Sequence, residues 1–165
     1  MEGGSFMSIE VIDNFLPLSE FNELKSRILG KYFPWHYSDG IYKEQEKRRW
    51  QLFHTFYWEE TKSQYFPIIY PLLVKLKVQQ LYRIKTNMTA RTLFPRGGGH
   101  HIDDLPCPYT AIYYVNTNNG YTQFKTGKKI KSVGNRMLIF DSHLLHQGVT
   151  TTNEKRRVVV NLNYE

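Results

Sequence analysis

His101-Ile102-Asp103 sets an imidazole and a carboxylate two residues apart, and His146-Gln147-Gly148 supplies a second imidazole much later in the chain. On an extended segment residues i and i+2 point the same way. His101 and Asp103 therefore share a face, while His100 and Ile102 face away. His146 must reach that face from a distant strand folded alongside. Two nitrogens and one oxygen suit iron(II) or manganese better than a thiolate-preferring ion, and three ligands on one face leave coordination positions open. Arg157 follows the second histidine by a short strand. A guanidinium there can hold the far carboxylate of a dicarboxylic acid through paired hydrogen bonds. An isolated His-x-Asp is common, but two histidines, an aspartate and a later arginine are far more specific. His143 is the rival distal ligand. It ranks below His146, which directly precedes Gly148-Val149, where the chain turns into its next extended segment. His36 and His54 read as structural histidines.

Strand parity separates the two adjacent arginines. Arg157, Val159, Asn161 and Asn163 fall on one face, and Arg156, Val158, Val160 and Leu162 on the other. The apolar set belongs against helices and the asparagine-bearing set toward a polar interior. Arg157 is thus preferred over Arg156 for the acid. Arg83, Lys85 and Asn87 also share a strand face, and either line the mouth of the site or lie on the sheet surface.

Elements must position these groups. Residues 8–13 alternate as a short strand. Ser19 is a plausible N-cap for a helix carrying Phe21, Leu24, Ile28 and Leu29 at helical spacing, with Gly30 as its stop. Residues 42–49 read as an exposed charged loop and 50–58 as an aromatic strand. A second helix is expected over 66–78, with Pro67 in its first turn. From Leu81 the period becomes two, and strands are expected over 81–93, 110–116, 121–125, 136–140 and 157–164. Asn119-Gly120 reads as a hairpin turn between two of these strands, and Gly134-Asn135 marks another turn. Two helices followed by many short strands imply an α+β fold. With about eight strands, the expected form is a double-stranded β-helix, or jelly roll, whose N-terminal helices pack on the major sheet.

A length of 165 residues with 41% hydrophobic content favours a single domain spanning 1–165. The one cysteine, Cys107, rules out an intramolecular disulfide and fits a reducing interior. No run of about 18 apolar residues exists, so no transmembrane helix and no membrane partner are expected. The first seven residues lack the basic and apolar regions of a secretory signal and read as a disordered lead-in. The expected location is cytoplasmic. The net charge of +7 gathers at Lys47 to Arg49, at Lys125, Lys128, Lys129 and Lys131, and at Lys155 to Arg157. It reads first as a solvated basic surface and second as an attraction for nucleic acid or an acidic protein.

The segments Arg83-Ile84-Lys85-Thr86-Asn87, Gly99-His100-His101-Ile102-Asp103, Thr110-Ala111-Ile112-Tyr113-Tyr114-Val115-Asn116, Asn119-Gly120-Tyr121-Thr122, Asn135 to Ser142, His146-Gln147-Gly148 and Arg157 to Asn161 resemble the iron(II)- and 2-oxoglutarate-dependent dioxygenases. The likeness is to their prolyl-4-hydroxylase-like branch, and most of all to its small phage-encoded members. It covers about half the chain, from Leu81 to Tyr164, and Val11 to Leu16 adds the N-terminal strand leading into the first helix. The resemblance implies a hydroxylase of C–H bonds that consumes 2-oxoglutarate and O2 and releases succinate, with ascorbate as an accessory reductant. It implies His101, Asp103 and His146 as iron ligands. Arg157 and Tyr113 would then bind the distal carboxylate of 2-oxoglutarate. Phe94 stands where some relatives carry a further tyrosine, and a phenyl ring cannot donate that hydrogen bond. A peptide or protein is the expected substrate, in a host cytoplasm for a phage-encoded enzyme.

Two other readings compete. Oxidative demethylation of nucleic acid uses the same iron chemistry, but that branch carries a second arginine six residues after the first, where this chain has Asn163. A non-catalytic jelly-roll binding module has no need of the complete ligand set. The 97–99 glycines and the 37–49 loop are candidate covers for the site.

Overall fold

The computed structural model describes residues 8–39 and 50–165. The expected 42–49 loop, the basic trio Lys47 to Arg49 and the first seven residues lie outside the described residues. Strand β1 (Ile9–Ile12) leads into helix α1 (Leu18–Ile28), followed by β2 (His36–Ser38), β3 (Gln51–Trp58) and the short β4 (Thr61–Lys62). A 3-10 turn (Phe66–Ile69) runs into α2 (Tyr70–Leu76). The remainder is β5 (Leu81–Ala90), β6 (Tyr109–Tyr114), β7 (Tyr121–Phe124), β8 (Lys129–Lys131), β9 (Arg136–Asp141), β10 (His146–Val149) and β11 (Arg156–Tyr164).

Two antiparallel sheets result, consistent with a jelly roll. The larger has the order β1-β9-β6-β11-β5-β3-β2, with β4 paired to β3, and the smaller has the order β10-β7-β8. Strands β1 to β6 all belong to the larger sheet; the chain then crosses to the smaller sheet for β7 and β8, returns for β9, crosses again for β10 and returns for β11, leaving a cavity between the sheets. One face of the large sheet supplies Phe56, Ile84, Ala111, Tyr113, Met137, Val158, Val160 and Leu162 to an apolar cluster. The same cluster takes Phe21, Leu24 and Ile28 from α1 and Leu72 from α2. Burying each such side chain stabilises the fold by about 1.5–3 kcal/mol relative to exposure. A second cluster, with Ile112, Tyr114, Phe124, Ile130, Leu138, Phe140 and Val159, fills part of the space between the sheets.

Three local expectations are corrected. Ser19 is not the N-cap: α1 starts at Leu18 after Pro17, with no side-chain capping bond. Proline at that point fixes a helix-compatible φ and needs no donor, so the helix begins two residues earlier than the serine signal implied. The 66–78 helix is split, because Pro71 lacks the N–H that would continue one α-helical ladder from Phe66. Asn119-Gly120 is not a hairpin turn: β6 pairs with β9 and β11, whereas β7 pairs with β8 and β10. These residues carry the chain from one sheet to the other. Asn119 is occupied by bonds from its side chain to Thr151 and Thr152.

Candidate metal centre

The segment before the first histidine is laid along β10. Gly97 bridges Val149, the Gly98 N–H donates to Gly148 O at 2.9 Å, and His101 and His146 exchange both backbone bonds at 2.9 and 3.0 Å. This pairing is what unites two histidines 45 positions apart in the chain. The glycines are tied down rather than forming a free cover. A Cβ at Gly97 would overlap the Gln147 side-chain amide, so a larger residue there would have to displace that amide.

The structure brings His101, Asp103 and His146 together, each offering a ligand atom within 4.8 Å of the others. Each imidazole is held by a backbone carbonyl. His101 Nδ1 donates to Gly99 O at 3.0 Å, and His146 Nδ1 donates to Leu144 O at 2.9 Å. A carbonyl can only accept, so both bonds require the proton on Nδ1 and leave Nε2 as the ligating atom. Burial is the main force lowering the His146 pKa, helped by the neighbouring His101, and it favours the neutral ring a metal needs.

Asp103 is oriented by two partners. Asn163 Nδ2 donates to its Oδ2 at 2.8 Å and also to Thr110 Oγ1 at 3.1 Å. Arg83 reaches Oδ1 at 3.2 Å, and its Nε donates to Asn163 Oδ1 at 3.1 Å. Oδ1 is left facing His101 Nε2 at 3.7 Å. Burial alone would raise the carboxyl pKa. Arg83, the Asn163 amide and the two imidazoles outweigh it, so the group sits below its ordinary value and stays ionised. Two imidazole nitrogens and one anionic oxygen, each group oriented by an outer hydrogen bond, fit iron(II).

Arg157 lies in the same cavity of about 160 Å³ as the triad. Its Nε donates to Ser132 Oγ at 3.0 Å and one Nη to Thr122 Oγ1 at 3.2 Å, while the guanidinium rests 5.7 Å from the Tyr114 ring centre. Space for it is made by Gly120, where a Cβ would meet Arg157 Cδ at 2.7 Å. Burial lowers its pKa, and among the described residues no carboxylate pairs with it. A buried cation served only by hydroxyls is incompletely compensated and calls for an anion. Asn87 Oδ1 and Thr89 Oγ1, both in residues lining the cavity, are likewise buried without a hydrogen-bond partner among the described residues.

Arg156 is on the other face, donating to Leu29 O at 3.0 Å. His143 is exposed and paired to Asp141 at 2.9 Å, so it is not brought to the triad. His54 is buried between Pro34 O and Ser63 Oγ, and Phe94 is largely exposed.

Tyr113 is a correction. It faces the helix-side cluster, packs edge-on against Phe15, and donates its hydroxyl to Asn135 Oδ1 at 2.8 Å. Asn135 in turn bonds both backbone groups of Leu16 at 2.8 Å. Tyr113 therefore ties the sheet to the N-terminal segment and does not enter the cavity. Tyr114, one residue on, faces Arg157 and donates to Thr122 at 2.7 Å. Cross-strand register decides it: Tyr114 is aligned with Val159, on the Arg157 face, whereas Tyr113 is aligned with Val160. The supporting roles of Asn163, Thr110 and Ser132 had no signal in spacing, because they depend on cross-strand register and on contact between sheets.

No family model matches the sequence, and no curated protein matches it. Solved structures do match. A prolyl hydroxylase from Trichoplax adhaerens, in complex with a hypoxia inducible factor oxygen degradation domain peptide fragment, gives a TM-score of 0.71 at 16% identity, over 94% of this chain and 83% of that one. The viral collagen prolyl hydroxylase of Paramecium Bursaria Chlorella virus-1 gives 0.54 at 18% identity, over 98% and 95%. HygX from Streptomyces hygroscopicus, with nickel and 2-oxoglutarate bound, gives 0.62 at 13% identity, over 96% and 82%. The fold is the one shared by these oxygenases.

Proposed function

We propose that this chain is an iron(II)- and 2-oxoglutarate-dependent dioxygenase, a prolyl-hydroxylase-like enzyme that hydroxylates a C–H bond of a peptide or protein residue. One observation carries the reading: a His-Asp-His cluster shares one small cavity with a buried guanidinium that has no carboxylate partner among the described residues. His101, Asp103 and His146 are the proposed iron ligands, and Arg157 is the proposed partner of the distal carboxylate of 2-oxoglutarate. When bound, the iron and its keto-acid co-substrate supply the oxidation of the C–H bond by O2. The protein's part is to bind, orient and exclude water. The backbone carbonyls of Gly99 and Leu144 aim the two imidazoles. Asn163 and Arg83 aim the carboxylate. Tyr114 and Thr122 form the wall against which Arg157 is held. The peptide-bound Trichoplax neighbour supports a peptide partner, and the viral neighbour supports kinship with small virus-encoded enzymes.

The fold reading extends to one domain over 1–165 with its helices bracing the major sheet, supported by the single cluster joining α1 and α2 to that sheet. Among the described residues no helix is long and apolar enough to cross a membrane. The free, buried Cys107 fits the proposed cytoplasmic setting, and its thiol pKa is raised mainly by burial.

Succinate formation from 2-oxoglutarate with iron(II) and ascorbate tests the reading, first without substrate and then with proline-rich peptides. The unsubstituted protein should form succinate. His101→Ala or Asp103→Ala should abolish it, a loss exceeding the roughly 10–100-fold expected for a partner that only supports a ligand. The melting transition should persist in both variants. Unchanged succinate formation by either variant would refute the ligand assignment.

A further inference from the structure

The cavity carries more positive charge than the metal, its co-substrate and their partners balance. Its lining includes Arg83, Lys85, Arg96 and Arg157, against Asp103 as its sole acidic residue among the described residues. A divalent ion, the Asp103 carboxylate, a 2-oxoglutarate dianion and Arg157 cancel one another in formal charge. Arg83, Lys85 and Arg96 then remain as three cations around the space left for substrate. Arg83 is anchored to Asp103 and Asn163. Lys85 follows it two residues along the same face of β5, with Nζ 4.4 Å from the Phe53 ring centre. Neither Lys85 nor Arg96 pairs with a carboxylate among the described residues. Burial is the main force lowering the Lys85 pKa, with the Arg83 charge acting in the same direction and the more weakly felt Asp103 charge opposing them. A half-buried ammonium beside another cation is poorly compensated without an incoming anion.

Asn87 and Thr89 continue this face of β5, and Gln51 joins from β3. Together they make a polar track whose unsatisfied atoms can bond a ligand. Apart from the two imidazoles proposed as metal ligands, the lining includes no aromatic side chain among the described residues. Sequence-tolerant capture of a base relies on stacking against an aromatic face, which Phe, Tyr or Trp would supply, so this wall favours an acidic peptide over a nucleobase.

We infer that Lys85 and Arg96, with Arg83 behind them, form an anion subsite that selects a peptide substrate carrying a Glu or Asp side chain beside its target residue. This rests on the oxygenase reading and adds the substrate's charge to it.

The test uses the full chain loaded with manganese(II) and 2-oxoglutarate. Binding is read by fluorescence anisotropy with labelled twelve-residue peptides alternating proline with glutamate, glutamine or lysine, and with a twelve-nucleotide single strand. Charge complementarity predicts at least a tenfold preference for the glutamate peptide over the glutamine peptide, weakening as salt rises. The Lys85→Gln/Arg96→Gln double variant should reduce that preference to within twofold. Lys128→Gln, which removes an exposed charge on the β7–β8 connection, should leave it intact. The preference is a ratio, so partial unfolding of a variant does not mimic the effect. Equal binding of glutamate and glutamine peptides, no binding of either, or an equal loss in Lys128→Gln overturns the subsite. Tight oligonucleotide binding with no glutamate preference overturns it in favour of nucleic acid. Titration of 2-oxoglutarate into the same manganese-loaded protein separates the two claims: failure there sinks the oxygenase reading, whereas failure of the peptide preference alone sinks only the subsite.

Discussion

The two faces of β11 are almost equally buried but held in opposite ways. Val158, Val160 and Leu162 on the helix side are completely inaccessible, and their contacts are apolar. On the cavity side Arg157 is 6% and Asn163 0% exposed, and each is held by named hydrogen bonds. The helix face requires only apolar groups of suitable volume, and volume-conserving swaps are tolerated there. The cavity face requires particular atoms in particular places, since a buried polar group without its partner is costly. One strand thereby separates stability from function along a two-residue period.

The largest expected break falls on the helix face. Leu162→Ala should lower unfolding free energy by about 2–5 kcal/mol. The folded fraction should still bind 2-oxoglutarate with ordinary affinity. Denaturant titration with and without the co-substrate measures both. Loss of binding without loss of stability would mean the faces are not separable.

On the cavity face Arg157→Ala should weaken 2-oxoglutarate binding by about 3 kcal/mol, roughly a hundredfold, for two charged hydrogen bonds. Arg156→Ala should change it less than about threefold, because that side chain serves the α1 end. Calorimetric titration of both variants gives the comparison, and the reverse order would overturn the parity argument.

A smaller effect is expected at Asn163, which touches no proposed ligand site except through Asp103. Asn163→Ala should lower manganese(II) affinity roughly 10–100-fold. Asn163→Asp should not restore it, since a second carboxylate would repel Asp103 where the amide donates. An unchanged affinity would reduce Asn163 to a packing role.

The smallest effect is that of pH. The folded-state pKa of His146 is lowered from 6.5, chiefly by burial. The unfolded chain therefore takes up a proton first as pH falls. The stability contributed by this group is fully present above about 6.5 and declines below it. Metal affinity declines over the same range, because the ligating ring must be neutral. Metal titrations between pH 5.5 and 7.5 check this, and a flat profile would count against histidine ligation.

Much of this contrast was legible in the chain. Alternation along 157–164 separated Arg157 from Arg156, and His-x-Asp with a distant histidine located the triad. Register was not legible. The asparagine at 163 reaches Asp103 only because Asn163 is aligned with Thr110 and Arg83 on its two neighbouring strands. Tyr113 differs from its expected place because two adjacent tyrosines are chemically alike, and only pairing with β11 decides which of them faces Arg157. The hairpin signal at Asn119-Gly120 reflected a real need for glycine whose cause was remote. That glycine clears space for the Arg157 side chain rather than forming a tight turn.

A crystal structure of the protein with manganese(II) and 2-oxoglutarate tests the central claim most directly, with the metal located by its anomalous signal. The account predicts one ion bound by His101, Asp103 and His146, with the far carboxylate of the keto acid on the Arg157 guanidinium. An ion held elsewhere, or a carboxylate that avoids Arg157, would contradict it.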